Sequence, residues 1–293
     1  MLKAFQDHWQ EVAAIQIEPM GWATLAIALG VTLSAHILSG WVWTLILYEL
    51  NQFVPNSQFI QIYLKTNIGK YLPGNVWHFY GRILAAKTAG VPVGAATLSV
   101  VLEPLLMAAA ALVMALINIQ PIASNSFVKL QGLPILGLAC VLVGIHPQFL
   151  NRVINVLSRL KSKGINSSSD DSKTLQLRRY PFKPLLGELG FIGLRGAGFL
   201  LTLLAFKPLD LQQIPLLLSA FSFAWLLGLV VPGAPGGLGV FEATAIALLQ
   251  GSFSGGLIIS AIALYRMVSI IAEAAGAGLA WLDEQRTPPT KSN

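Results

Sequence analysis

Charge is the scarcest ingredient of this sequence. Only 11% of its 293 residues are Asp, Glu, Lys or Arg, against about 25% in an ordinary soluble domain. Meanwhile 55% are hydrophobic and the mean hydropathy is +0.67. A water-exposed shell cannot be built from what remains, which excludes a cytosolic globular enzyme, a nucleic-acid-binding domain and a disordered chain. Cysteine is nearly absent: Cys140 stands alone in an apolar run, so no disulfide framework forms within one chain, and a small buried side chain accounts for it. Histidine is sparse, and no pair has metal-ligand spacing with a third ligand. His36, His78 and His146 read as satisfied polar residues, with His78 set apart by its neighbours Trp77 and Arg82. No nucleophile–base pair is visible. Ser99, Ser219, Ser222 and Ser269 lie in no recognisable elbow and suit hydrogen bonds between membrane helices. The expectation is therefore no metal, no cofactor and no catalytic residue.

What the sequence has is long apolar runs, over residues 22–48, 93–118, 132–149, 185–206, 213–231 and 255–282. Most approach or exceed the roughly 20 residues that cross about 30 Å of hydrocarbon as a helix. The run 132–149 is the shortest and holds His146 near one end. The predicted fold is all-α and polytopic, with about six spanning helices. The first 21 residues lack an apolar core after Lys3, so a cleavable signal peptide is not expected. Phe5, Trp9, Val12 and Ile15 instead suit an amphipathic helix on a membrane surface.

The basic charge is concentrated. Residues 151–184 hold Arg152, Arg159, Lys161, Lys163, Lys173, Arg178, Arg179 and Lys183 against Asp170 and Asp171, which is the whole of the net +6. The Gly/Ser/Asn/Asp stretch 164–171 reads as a flexible polar loop. The chain then divides into an amphipathic segment (1–21), a first membrane half (22–150), a basic loop (151–184), a second membrane half (185–282) and a polar tail (283–293). The positive-inside rule puts the loop in the cytoplasm of a cell whose inner membrane holds the chain. The same charges suit contact with anionic headgroups or a docked partner; aromatic interleaving is too thin for nucleic acid.

Two interruptions are more informative than the clean runs. One is Gly69-Lys70-Tyr71-Leu72-Pro73-Gly74-Asn75; the other is Val231-Pro232-Gly233-Ala234-Pro235-Gly236-Gly237-Leu238-Gly239. Proline removes an amide donor and glycine admits conformations that other residues avoid. Non-helical backbone at membrane depth persists only where protein or a wet cavity surrounds it. One such break in each half marks a transporter-type site, with two re-entrant hairpins and an inverted-repeat arrangement as the matching architecture. Ordinary surface turns are the plainer alternative. A phosphate-binding P-loop fails, because Tyr71 follows Gly69-Lys70 and position 64 is Leu.

The pair formed by 70–77 and 232–242, ending in Glu242, resembles the flippase-like membrane family that includes the membrane half of bacterial lysylphosphatidylglycerol synthases. Arg82, Glu103 and Arg266 also sit where charged residues of that family tend to be. The resemblance covers roughly residues 60–282. It departs in three ways. An extra spanning helix often precedes the position of Trp22 in the family; a basic residue usually stands where Pro104 follows Glu103; and the eleven residues after Leu282 leave no room for a soluble aminoacyl-transfer domain. The resemblance thus implies lipid translocation or an accessory role rather than aminoacylation.

Ionisable groups inside spanning helices cost about 2.5–3.5 kcal/mol each and imply partners or water. Glu103, Glu188, Arg195, Glu242, Arg266 and Glu273 all qualify. Glu188 and Arg195 are seven apart, as are Arg266 and Glu273 in reverse order, which suggests one neutral network of four. Such pairs fix helix register, or they serve a substrate. In the functional reading, Lys70, Arg82, Arg195 and Arg266 line the path of an anionic phosphate headgroup. Glu103, Glu242 and Glu273 pair with them and exchange protons. Helices restarting after Pro73-Gly74 and after Pro232, Gly233, Pro235, Gly236, Gly237 and Gly239 point their N-terminal amides at the same headgroup. The expected function is a facilitated or ion-coupled lipid flippase or transporter, for a phospholipid or a polyprenyl-phosphate-linked glycan. A membrane-embedded lipid-modifying enzyme and a non-catalytic subunit that docks a partner on the basic loop are the alternatives.

The charge distribution predicts a sidedness. A reporter fused at Met1 and one inserted within 151–184 should label from opposite sides of the membrane; labelling from one side refutes the assignment.

Overall fold

Prolines and lost apolar character set the helix boundaries in the computed structural model, which describes residues 17–118, 133–152, 177, 179–231 and 234–286. Helix α1 (Pro19–Glu49) carries proline in its first turn, where the missing amide costs nothing. It ends before Asn51, whose φ of 59° lies in the left-handed region that asparagine tolerates. Helices α2 (Asn56–Asn67) and α3 (Trp77–Thr88) flank the first break. Helix α4 (Val93–Ala115) follows Pro92, and α5 (Leu133–Ile145) follows it. Helix α6 (Phe182–Leu204) opens the second half. Helices α7 (Ile214–Val230) and α8 (Val240–Leu249) flank the second break, and α9 (Gly255–Arg286) closes the fold. No strand occurs among the described residues. The chain is an all-α, polytopic membrane protein.

Five segments are long and apolar enough to cross a membrane: α1, Val93–Asn118, α6, Leu211–Val230 and α9. The expected span over 132–149 is represented by α5, whose 13 residues reach only about 20 Å at 1.5 Å per residue. His146 and Pro147 interrupt it.

Helix α1 is the axis of the bundle. It packs most extensively on α6 and also against α2, α4 and α9. Small residues allow the close approach to α6. A Cβ on Gly187 would fall 2.4 Å from Val42, one on Gly190 3.2 Å from Leu38, and one on Gly198 2.5 Å from Thr32 Oγ1. The numbering falls along α1 as it rises along α6, so the two helices are antiparallel. Membrane helices gain little from burying apolar area against each other, and close contact is what holds them.

The path of the chain follows from these contacts. Leu185, at the start of α6, packs with Ile46 and Leu50 at the end of α1. Ala205, after α6, packs with Leu25 and Ala28 near the start of α1. Helix α4 begins beside Trp43 and Leu47 and ends where Ser219 Oγ donates to the carbonyls of Ala115 and Asn118, at 2.5 and 2.6 Å. Helix α9 runs with α1: Val268 packs on Leu25, and Asp283 and Glu284 accept from Gln61 and Lys65 of α2.

Both broken segments are hairpins. Val54, Phe59, Ala86 and Val91 share one cluster, so α2 and α3 enter and leave on the side where α1 ends. Lys207 Nζ lies 5.2 Å from the Phe253 ring, so α7 and α8 enter and leave on the side where α1 begins. Helix α7 has the length and composition of a span, yet its chain turns back through the ten residues of α8. The hairpins are inverted relative to each other, and their tips meet. Ile68–Tyr71 contacts Pro235–Gly237, and a Cβ on Gly236 would lie 2.9 Å from Tyr71 Cε1.

Of the sequence features, 1–16, the larger part of the basic loop (153–176 and 178), Pro232 and Gly233, and the tail beyond 286 lie outside the described residues. Residue 236 offers a direct check on the tip contact. Its φ of 58° is left-handed, which costs a non-glycine residue about 1–2 kcal/mol. Gly236→Ala should lower the thermal unfolding midpoint in detergent. Adding Tyr71→Ala should recover the steric share and leave the backbone share. An unchanged midpoint would place the tips apart.

Candidate functional site

The first tip is a short 3-10 turn, Ile68–Tyr71, followed by a bend with left-handed Gly74 and Asn75, at φ 96° and 51°. Trp77 Nε1 donates to the Pro73 carbonyl at 3.0 Å and closes the bend. The turn pushes Lys70 and Tyr71 forward and restarts the chain as α3, with His78 in its first turn. A Cβ at position 69 would sit 2.9 Å from the His78 nitrogen, so only glycine lets the turn lie against that restart. The second tip is the 3-10 turn Pro235–Gly237. It packs on α7, where the Gly237 backbone comes close enough to Gly228 that a Cβ would stand 3.1 Å from the Gly228 Cα.

Between the tips lies a cavity of about 360 Å³. The first tip contributes Lys70, Tyr71 and His78, the second Gly236 and Gly237, and the helices Arg195, Tyr265, Arg266 and Glu273. Pro104 and Trp225 supply apolar wall. Glu273 is the hub of the charged face. Its Oε1 accepts from Lys70 Nζ at 2.7 Å and lies 3.2 Å from His36 Nε2 and 3.9 Å from Arg195 Nη1. Arg195 Nη1 is 3.0 Å from the same histidine nitrogen, and its guanidinium lies 5.4 Å from the Tyr265 ring centre. Arg195 Nε is buried with no hydrogen-bond acceptor.

Arg266 does different work. Its Nε donates to Glu242 Oε1 at 2.5 Å, while Nη1 and Nη2 donate to the carbonyls of Gly236 and Gly237, each at 3.0 Å. The other oxygen of Glu242 accepts from the Gly239 amide at 2.6 Å, capping α8. One arginine and one carboxylate thus satisfy carbonyls and an amide that the break removes from helical pairing. A planar fork with several fixed donors suits this; a lysine point charge does not.

The expected site residues fall into three places. Lys70, Arg195, Glu273 and Arg266 come together at the cavity, with Glu242 behind Arg266. Arg82 and Glu103 do not reach it. They form their own ion pair, each only 2% exposed. The Arg82 guanidinium lies 4.0 Å from the Tyr63 ring and 5.5 Å from Trp43. The expected network of four also does not form: Arg195 meets Glu273, Arg266 turns to Glu242, and Glu188 belongs with Arg82 and Glu103. Seven residues of helix separate Glu188 from Arg195 by about 10 Å, so residues on one face meet different neighbours. His36 enters the cavity cluster, although the sequence marked it only as a lone polar residue in a span. Tyr71 and Tyr265 were likewise indistinguishable from lipid-facing or core aromatics.

Two inverted hairpins meeting over a charged cavity of about 360 Å³ define a polytopic membrane protein with a candidate site between its two halves. The chain belongs to the family described as the lysylphosphatidylglycerol synthase TM region, whose sequence model matches residues 5–276. The family ties the fold to lipid-handling membrane proteins. No protein of curated function matches the chain.

Pinning and lining residues should separate on mutation. Arg82→Gln leaves Glu103 buried without its partner, a loss of about 3–5 kcal/mol, and should lower the unfolding midpoint sharply. Lys70, with a side chain 20% exposed, should tolerate Gln with a much smaller shift. Equal shifts for the two would remove the distinction.

Proposed function

We propose that this chain moves an amphiphile with an anionic phosphate headgroup between leaflets, with the headgroup held in the cavity between the two tips. The observation that carries this reading is the local charge. Among the described residues, Lys70, Arg195 and Arg266 face only Glu242 and Glu273, which leaves one positive charge in excess inside a membrane protein. Uncompensated charge there is costly, and an anion removes the excess.

Each part of the cavity has a role in that reading. Lys70 and Arg195 bind the phosphate, with Arg195 Nε as a donor that still lacks an acceptor. Charge-assisted bonds of this kind are about twice as strong as neutral ones. The start of α3, at His78, turns the positive end of its dipole to the same space. The apolar wall at Pro104 and Trp225 faces the acyl or prenyl portion near the headgroup. Phospholipids and polyprenyl-phosphate-linked glycans share the phosphate that these residues recognise. The lipid leaves chemically unchanged, so the protein is a carrier and not an enzyme. It sits in a bacterial inner membrane with the basic loop in the cytoplasm, and the loop contacts anionic headgroups or a partner.

Reconstitution tests this. Purified protein in liposomes should move labelled phospholipid faster than protein-free liposomes. Lys70→Gln and Arg195→Gln should each slow movement about tenfold or more, since a hydrogen bond to a charged group contributes about 1.5–3 kcal/mol. Movement equal to empty liposomes across phospholipids and polyprenyl-phosphate glycans would overturn the reading. A new lipid product would point to an enzyme instead.

A further inference from the structure

Away from the cavity, the bundle holds a second charged group that the transport site does not use. Glu188 of α6 is fully buried, and neither of its carboxyl oxygens has a hydrogen-bond partner. It lies within electrostatic reach of Glu103 and Arg82. Arg82 Nη1 donates to Glu103 Oε2, while Arg82 Nε and Glu103 Oε1 have no partner. Two carboxyl groups therefore share one arginine, with all three side chains buried. If both were ionised, the cluster would hold one uncompensated negative charge, whose burial costs far more than neutralisation by a proton.

Among the described residues, the surroundings offer no other counter-charge. Helix α1 brings Ser39 and Trp43, bonded to Tyr63 and Ser99 at 2.7 and 3.0 Å. Tyr63 of α2 presents its ring to Arg82. Helix α4 brings Glu103 itself. Helix α7 has no titratable side chain over Ile214–Val230. The charged groups of α9, Arg266 and Glu273, together with Tyr265 and His36 of α1, gather around the cavity at the level of Arg195, two turns along α6. Lys183 stands at the exposed start of α6. A metal cation is disfavoured, because no group of three metal-ligating side chains gathers among the described residues and Arg82 repels a cation.

We propose that Glu188 is a proton-binding site: at neutral pH it holds one proton as a neutral acid, beside the ionised Arg82–Glu103 pair. Loss of that proton leaves a carboxylate, and the Arg82 Nε–H that lacks an acceptor is the donor such a carboxylate needs. Protonation therefore selects between two arrangements of Arg82, bonded to Glu103 alone or shared with Glu188. Arg82 is one turn along α3 from His78, which lines the cavity, so the two arrangements reach the substrate site through a single short helix.

Infrared spectroscopy of the full chain in lipid nanodiscs reads the proton directly and needs no lipid movement, so it can fail or succeed independently of the transport reading. At neutral pH the protein should show the carbonyl stretch of a protonated, unbonded carboxylic acid. Glu188→Gln should remove that band, and Glu273→Gln should leave it. Should Glu188→Gln not fold, Glu188→Asp keeps the acid on a shorter stem and should shift the band. A spectrum whose carboxylic bands are untouched by either Glu188 variant would overturn the proposal.

Discussion

A helix that stops inside a membrane leaves carbonyls and amides that lipid cannot satisfy, and the rest of this structure answers that constraint. The two breaks meet each other at Tyr71 and Gly236, and the cavity between them is walled by α4, α6, α7 and α9. At the second break the polar groups are satisfied from within: Arg266 covers the carbonyls of Gly236 and Gly237, and Glu242 covers the Gly239 amide. The glycines permit the turn, but a buried charge pair makes it tolerable. That is why an arginine and a glutamate, each costly in a membrane helix, sit beside the second break.

The intramembrane charges are segregated rather than pooled. Four cations, Lys70, Arg82, Arg195 and Arg266, and four carboxylates, Glu103, Glu188, Glu242 and Glu273, would balance in a single network. The helices instead sort them into a cavity group with one cation in excess and a buried group with one carboxyl in excess. Coulomb interactions in a low dielectric are strong but local, so the two imbalances are not cancelled merely because their sum is zero. Each must be answered where it lies: in the two readings proposed above, by an anionic headgroup in the open cavity and by a proton in the closed cluster. The size of the space decides which partner fits.

Much of this was legible in the sequence. Long apolar runs gave a polytopic helical protein, and Pro-Gly clusters inside apolar sequence located both tips to within a few residues. Lys70, adjacent to the first break, and Arg266 with Glu242, astride the second, were marked by the rule that charges in membranes need partners. What stayed hidden was direction and rotation. Hydropathy reports length and composition, so Leu211–Val230 reads as a span although its chain turns back. Heptad spacing places Glu188 and Arg195 on one face of α6, but which neighbours meet each turn depends on how α1 and α4 pack beside it. Those contacts are set by small residues such as Gly187 and Gly198 against Val42 and Thr32, and no periodicity announces them.

The inversion of the hairpins gives the site its functional geometry. Each tip is carried by a hairpin whose two ends lie on one side of the bundle, α2 and α3 where α1 ends and α7 and α8 where α1 begins. The antiparallel α1–α6 pair, held by its glycine contacts, is the frame on which the hairpins pack, α2 on α1 and α7 on α6. Lys70 rides on one tip and Arg266 is bonded to the other, while Arg195 and Glu273 belong to the frame. In the proposed reading, a headgroup bound among them contacts both tips and the frame. In the proposed transport reading, opening toward either side has one tip withdraw, and the charge that tip carries parts from a partner on the frame or on the other tip. The Lys70–Glu273 bond at 2.7 Å joins the first hairpin to the frame, and it is this bond that an incoming anion, competing for Lys70, would release.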